Sequence, residues 1–128
     1  MIEQITKGIK ISIETEFEGT FYKDDCIHYA FSYEVVIENQ SPEVAQLIAR
    51  KWNIMEALNE NEIVIGEGVV GEKPVLIPGE LHTYTSGCVL KSPFGAMKGS
   101  YLMVNLSNSK QFKVTIPTFK LSASFSQN

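Results

Sequence analysis

Seven of the nine glycines and three of the five prolines fall between Gly66 and Tyr101. Glycine is used where the backbone takes positive φ or where something approaches it closely, so this stretch holds unusual backbone. Its first part reads Gly66-Glu67-Gly68-Val69-Val70-Gly71-Glu72-Lys73-Pro74 and matches the dinucleotide fingerprint GxGxxG by letter. That fingerprint works only where a strand ends and a helix opens, with the pyrophosphate on the helix N-terminus. Pro74 and Pro78, with Gly79 behind them, leave no helix there. No Gly-Lys-Ser/Thr ending makes a P-loop, and Glu67 and Glu72 would repel phosphate. A tight turn or bulge between strands is the simpler reading. If the loop binds a ligand of another kind, Gly66, Gly68, Gly71, Glu72 and Lys73 are the residues to do it, with Lys73 the only nearby cation.

The clearest strand follows Asp24-Asp25-Cys26. Tyr29, Phe31, Tyr33, Val35 and Ile37 occupy every second position, the period of a pleated, half-buried surface. Ile9, Ile11 and Ile13 alternate in the same way behind Gly8, which opens the first element. Glu16 to Asp25 reads as a polar loop, and Asn39-Gln40-Ser41-Pro42 as a turn. Ile63 to Ile65 is a short strand, and Val75 to Ile77 a short apolar run ended by Pro78-Gly79. Leu81 to Leu90 is a strand with a bulge at Gly87, and Ser92 to Lys98 a loop. Leu102, Val104 and Leu106 alternate on one arm of a hairpin and Phe112, Val114 and Ile116 on the other, with Phe119 and Leu121 continuing it as an edge. The tail from Ser122 to Asn128 reads as frayed. Strands at this spacing suggest a sandwich or barrel.

Glu43 to Leu58 fits two patterns. Val44, Leu47, Ile48, Lys51, Trp52 and Met55 form a helical stripe, with Ser41 as N-cap and Pro42 at the first position. As a strand, Gln46, Ile48, Arg50, Trp52 and Ile54 share one face. Periodicity alone favours the helix.

The length fits one domain spanning residues 1–128. A net charge of −4 argues against a generic nucleic-acid binder, although Lys91, Lys98, Lys110 and Lys113 cluster late in the chain. No apolar run is long enough for a membrane helix, and the start, Met1-Ile2-Glu3-Gln4, lacks the pattern of a signal peptide. The cytoplasm is the expected compartment, and Cys26 and Cys88 are too few for a disulfide framework. Asp24, Asp25 and His28, with Cys26, make a weak metal candidate that needs His82 or Cys88 brought in by folding. Surface or half-buried placement is the simpler reading of each. Ser86 lacks the flanking glycine of a nucleophile elbow, and the carboxylates are dispersed. No catalytic set and no cofactor motif stand out.

Across nearly its whole length the chain resembles the ApaG family. The matching motifs are Tyr29-x-Phe31-x-Tyr33-x-Val35-x-Ile37-x-Asn39, Gln46-Leu47-Ile48-x-Arg50-x-Trp52, the glycine run to Pro74, Pro78-Gly79, Tyr84-Thr85-Ser86-Gly87, Gly95-x-Met97-x-Gly99-Ser100-Tyr101 and Phe112-x-Val114-x-Ile116-Pro117-x-Phe119-x-Leu121. Asn59-Glu60-Asn61 departs from the glycine-ended turn of the family. The resemblance implies an all-β, immunoglobulin/fibronectin type III-like β-sandwich, which turns Gln46 to Trp52 into a strand. It implies a non-enzymatic module that meets a protein partner and is associated with cobalt and magnesium homeostasis. The alternative is a protein that takes a phosphate-bearing ligand or a divalent metal, through the glycine loop or the Asp24–His28 region. An exposed apolar edge at Phe119 to Phe125 would permit a homodimer.

Overall fold

A computed structural model describes residues 1–57 and 59–123. Among these residues nine strands are seen: β1 (Ile2–Thr6), β2 (Ile9–Lys23), β3 (Cys26–Asn39), β4 (Ala45–Glu56), β5 (Glu62–Glu67), β6 (Val75–Leu76), β7 (Leu81–Leu90), β8 (Phe94–Asn105) and β9 (Lys110–Ser122). One sheet has the order β1-β2-β3-β7 and the other β5-β4-β8-β9, with β6 beside β4, and all pairings are antiparallel. The two sheets form the expected sandwich. Between them lie Ile9, Ile11, Phe31, Tyr33, Val35, Ile37, Leu47, Trp52, Met103, Val114 and Phe119, all nearly or fully buried. The alternation of apolar residues read in β2, β3 and β9 is thus the alternation of inward-facing positions.

Glu43 to Leu58 is not a helix. Its helical look has a specific cause. The β4–β8 register shifts between Leu47 and Ala49. Leu47 and Trp52, five residues apart, therefore both face the core. A bulge adds one residue and flips the phase of everything beyond it. The strand's apolar residues then fall in both phases of a period of two.

Other expectations change as well. β1 precedes Gly8, unseen because its Ile2 and Ile5 are exposed and out of phase. The loop from Glu16 to Asp25 is strand as far as Lys23, bulged between Phe17 and Gly19, and Asp24-Asp25 is a two-residue turn with φ of 53° and 59°. This ribbon runs past its neighbours, so its side chains are exposed and its pattern is polar. Gly87 pairs with Ser32 with no register shift, so there is no bulge there. β8 begins at Phe94, inside the expected loop. There Gly95 and Gly99 mark close approach, since a Cβ on either would lie 2.6 Å or less from a carbonyl oxygen of β4. Phe119 and Leu121 do continue β9 at the sheet's end, but both are buried, so they offer no apolar edge. Phe125 and the tail from residue 124 lie outside the described residues.

Candidate functional site

The glycine run is a hairpin tip hung from β5. Gly68 N–H donates to the Ile48 carbonyl at 2.8 Å, and Val69 and Glu72 exchange backbone hydrogen bonds of 2.8 and 3.0 Å. Between them Val70 and Gly71 have φ of 48° and 76°. Two central residues of positive φ define a type I′ turn, which favours Asn-Gly. A valine there is strained, because a β-branched side chain crowds the backbone in the left-handed region. Its side chain is 62% exposed, so burial does not offset the strain. We predict that Val70→Asn raises stability by about 1 kcal/mol, read as a higher urea midpoint with unchanged slope; an unchanged or lower midpoint would contradict this.

Arg50 fixes the base of the hairpin. It pairs with Gly66 across β4 and β5. Its guanidinium occupies the space of a side chain at residue 66, where a Cβ would lie 2.7 Å from Nη2. Arg50 Nη1 donates to the carbonyls of Glu67 and Gly68 at 2.8 and 2.9 Å. Lys73 Nζ lies 3.5 Å from Glu67 Oε1, and its carbonyl accepts from Gln46 Nε2 at 3.1 Å. Glu72 Oε2 lies 3.7 Å from Nε2 of His82 on β7. A cleft of about 430 Å³ lined by Glu72, Lys73, Pro74, Glu80 and His82 separates the hairpin from β7.

Behind Arg50, three tyrosines meet between the sheets. The hydroxyls of Tyr84 and Tyr101 are hydrogen-bonded to each other and join β7 to β8. Burial pushes Tyr84 and Tyr101 well above the ordinary phenol range, and Tyr33 above it too, while the Arg50 charge pulls slightly the other way on all three. Burial likewise pushes the Cys88 thiol up to about 11, with the carboxylates of Glu56 and Glu62 adding to the shift. Groups held neutral in the folded state release protons more readily when unfolded. Their stabilisation is therefore full below the unfolded values and is lost as pH rises above them. We predict a flat urea midpoint from pH 7 to about 9, a decline above the thiol's ordinary value of 9.0, and a steeper one above the phenol's 10.0. Tyr101→Phe should soften the steep part.

The residues singled out in the sequence fall at two ends. Gly66, Gly68, Gly71, Glu72, Lys73 and His82 come together at the hairpin. Asp24 and Asp25 turn the far end of the β2–β3 ribbon, where the His28 ring stacks on Phe21 with centroids 5.1 Å apart and Nδ1 lies 3.1 Å from the Cys26 carbonyl oxygen. His82 pairs with Ile37, nine residues along β3 from His28, which is about 30 Å at the rise of a strand. The two histidines cannot share one ion. Among the described residues no three of His, Cys, Asp and Glu gather as a metal would need. Arg50 is not among the residues singled out from the sequence. The signal was present, since reading Gln46 to Ile54 as a strand places Arg50 on the face of Trp52.

Comparison with known proteins agrees with this architecture. A profile of the ApaG domain matches residues 20–105. The chain is 42% identical to Protein ApaG of Anaeromyxobacter dehalogenans over 94% of each chain. It is 43% identical to Protein ApaG of Beijerinckia indica, over 99% of this chain and 97% of that one. Among solved structures, that of the putative ApaA protein from Bordetella pertussis superposes with a TM-score of 0.81 at 34% identity, covering 92% of this chain and 95% of that one. A second crystal structure, a structural-genomics target, reaches a TM-score of 0.88 at 36% identity, over 94% and 91% of the two chains. From the profile match and the extent of these identities together, the chain belongs to the ApaG family.

Proposed function

We propose that this chain is a non-enzymatic, cytoplasmic protein-recognition module that docks a partner along β5 and the glycine hairpin. The observation that carries this reading is the open edge of β5. Among the described residues the strand ends its sheet, with β4 as its one neighbour. Ile63 and Ile65 point outward at 59% and 73% exposure, and Val70 at the hairpin tip is exposed too. An unpaired edge offers a row of N–H and C=O groups to an extended segment of another protein, and flanking apolar side chains supply contact area. The hairpin's amides at Gly68, Val69 and Glu72 already donate to backbone carbonyls, which favours a protein contact over a phosphate cradle. The family's association with cobalt and magnesium homeostasis would then run through the partner.

The test is quantitative co-purification from the source cell's lysate. Three baits are compared: wild type, Ile63→Asp/Ile65→Asp, and Phe21→Asp/Tyr22→Asp on the β2–β3 ribbon, each checked for its β-sheet circular dichroism. A discrete set of proteins retained by wild type and the ribbon variant, and lost by the β5 variant, is expected. Retention of the same set by all three baits would overturn the reading.

A further inference from the structure

The two outer faces of the sandwich carry opposite charge. On the β1-β2-β3-β7 sheet, Glu14 pairs directly with Glu34, and Glu16 joins them along a shared hollow. On the other sheet, Lys51, Lys98 and Lys113 line a groove of about 290 Å³ together with Ser100, Thr115 and Thr118. Among the described residues no carboxylate lines that groove. Among the described residues none of the three lysines forms an ion pair. Lys73 at the glycine hairpin, by contrast, is already paired with Glu67.

Register sets the geometry. Lys51 on β4, Ser100 on β8 and Thr115 on β9 lie in one row across three strands. Lys98 stands two residues from Ser100 along β8, and Lys113 two residues from Thr115 along β9. All five alternate with buried core residues and so face outward. Strand spacing and rise place the Cα atoms of Lys51 and Lys98 roughly 8 Å apart and those of Lys98 and Lys113 roughly 14 Å apart. Such a spread suits a run of linked anions better than a single tetrahedral one. The hydroxyls between the ammonium groups are donors for the bridging stretch. Among the described residues no aromatic ring lines the groove, so they offer no platform on which a base could stack.

From this we infer that the outer face of the β5-β4-β8-β9 sheet is a site for a phosphate chain, held by Lys51, Lys98 and Lys113 and distinct from the glycine hairpin. A small concave site takes a linear polyphosphate, or the phosphate end of a nucleotide, through the same contacts. The acidic opposite face, by repulsion, keeps anions to this side.

The test is an NMR titration of ¹⁵N-labelled protein with sodium tripolyphosphate. Shifts should centre on Lys51, Lys98, Ser100, Lys113 and Thr115, be weaker with orthophosphate, and fade as salt is raised. Each single Lys→Gln change at the three positions should weaken binding about fivefold, and the triple variant should abolish it. A control triple, Lys23→Gln/Lys73→Gln/Lys91→Gln, makes the same change in net charge and should bind as wild type does. ATP should shift the same resonances with no higher affinity than tripolyphosphate. The inference is overturned if shifts centre on residues 66–73, if the control triple loses binding equally, if ATP is strongly preferred, or if hexaglutamate binds more tightly than tripolyphosphate. The last outcome would reassign the face to an acidic protein segment.

Discussion

Trp52→Ala is expected to lower stability by about 4 kcal/mol, near the upper end for a single core truncation. Trp52 is 3% exposed and stands on β4, but its contacts reach both sheets. Its ring meets Phe119 edge-on at 5.8 Å and 89°, Tyr101 at 6.5 Å and 82°, and Tyr33 of the other sheet at 5.4 Å and 61°. Edge-on aromatic pairs add to the burial of their area. Removing the indole leaves a void bounded by three rings that are themselves fixed by strand pairing, so collapse around it is limited. Trp52→Phe should recover about half of the loss. Equilibrium urea unfolding measures both, and a loss below about 1.5 kcal/mol for the alanine variant would mean the site collapses after all.

The second large effect is expected from a single methyl group. Gly99→Ala should cost about 3 kcal/mol or prevent folding, because its Cβ would lie 2.0 Å from the Lys51 carbonyl oxygen and 3.3 Å from the Trp52 Cα. Both are backbone atoms of a hydrogen-bonded neighbour, so relief requires β4 and β8 to separate. Gly87→Ala is the matched control. It too is a glycine in a paired strand, yet its Cβ would come no closer than 3.3 Å to the Phe31 carbonyl oxygen. Its cost should stay under about 1 kcal/mol. Equal midpoints for the two variants would show that strand glycine, rather than close approach, sets the energy.

The same glycine shows where the sequence is silent. A glycine in a strand and a glycine in a turn look identical in one dimension. Gly95 lies in the expected loop from Ser92 to Lys98, yet in the structure it is, like Gly99, a close contact between strands. Where a strand has one buried face and regular pairing, as in Tyr29 to Ile37, the pattern of residues is the pattern of burial and reads directly. Where a bulge resets the phase, as at Ile48, local periodicity misleads, and family motifs had to supply the strand. The ribbon from Glu16 to Lys23 was missed for a different reason. It extends beyond the core, so its strand state rests on partner hydrogen bonds that leave no apolar trace. For the candidate site, the glycine run was legible as unusual backbone, and Pro74 excluded a nucleotide fold. The link between Arg50 and Gly66 is a register relation between strands sixteen residues apart, which spacing along the chain cannot show.

Strand order also has a consequence for synthesis. β2 and β3 are neighbours in sequence, as are β8 and β9, so each pair can zip locally. β3, however, takes β7 as its other partner, and β4 takes β8. A chain emerging from the ribosome through residue 80 therefore carries β3 and β4 with open, apolar-flanked edges, and nothing yet made can cover them. Segments in that state invite pairing with other chains. The last third of the polypeptide, from Leu81 onward, closes both sheets, and a truncation there should leave an aggregating species in place of a smaller soluble one.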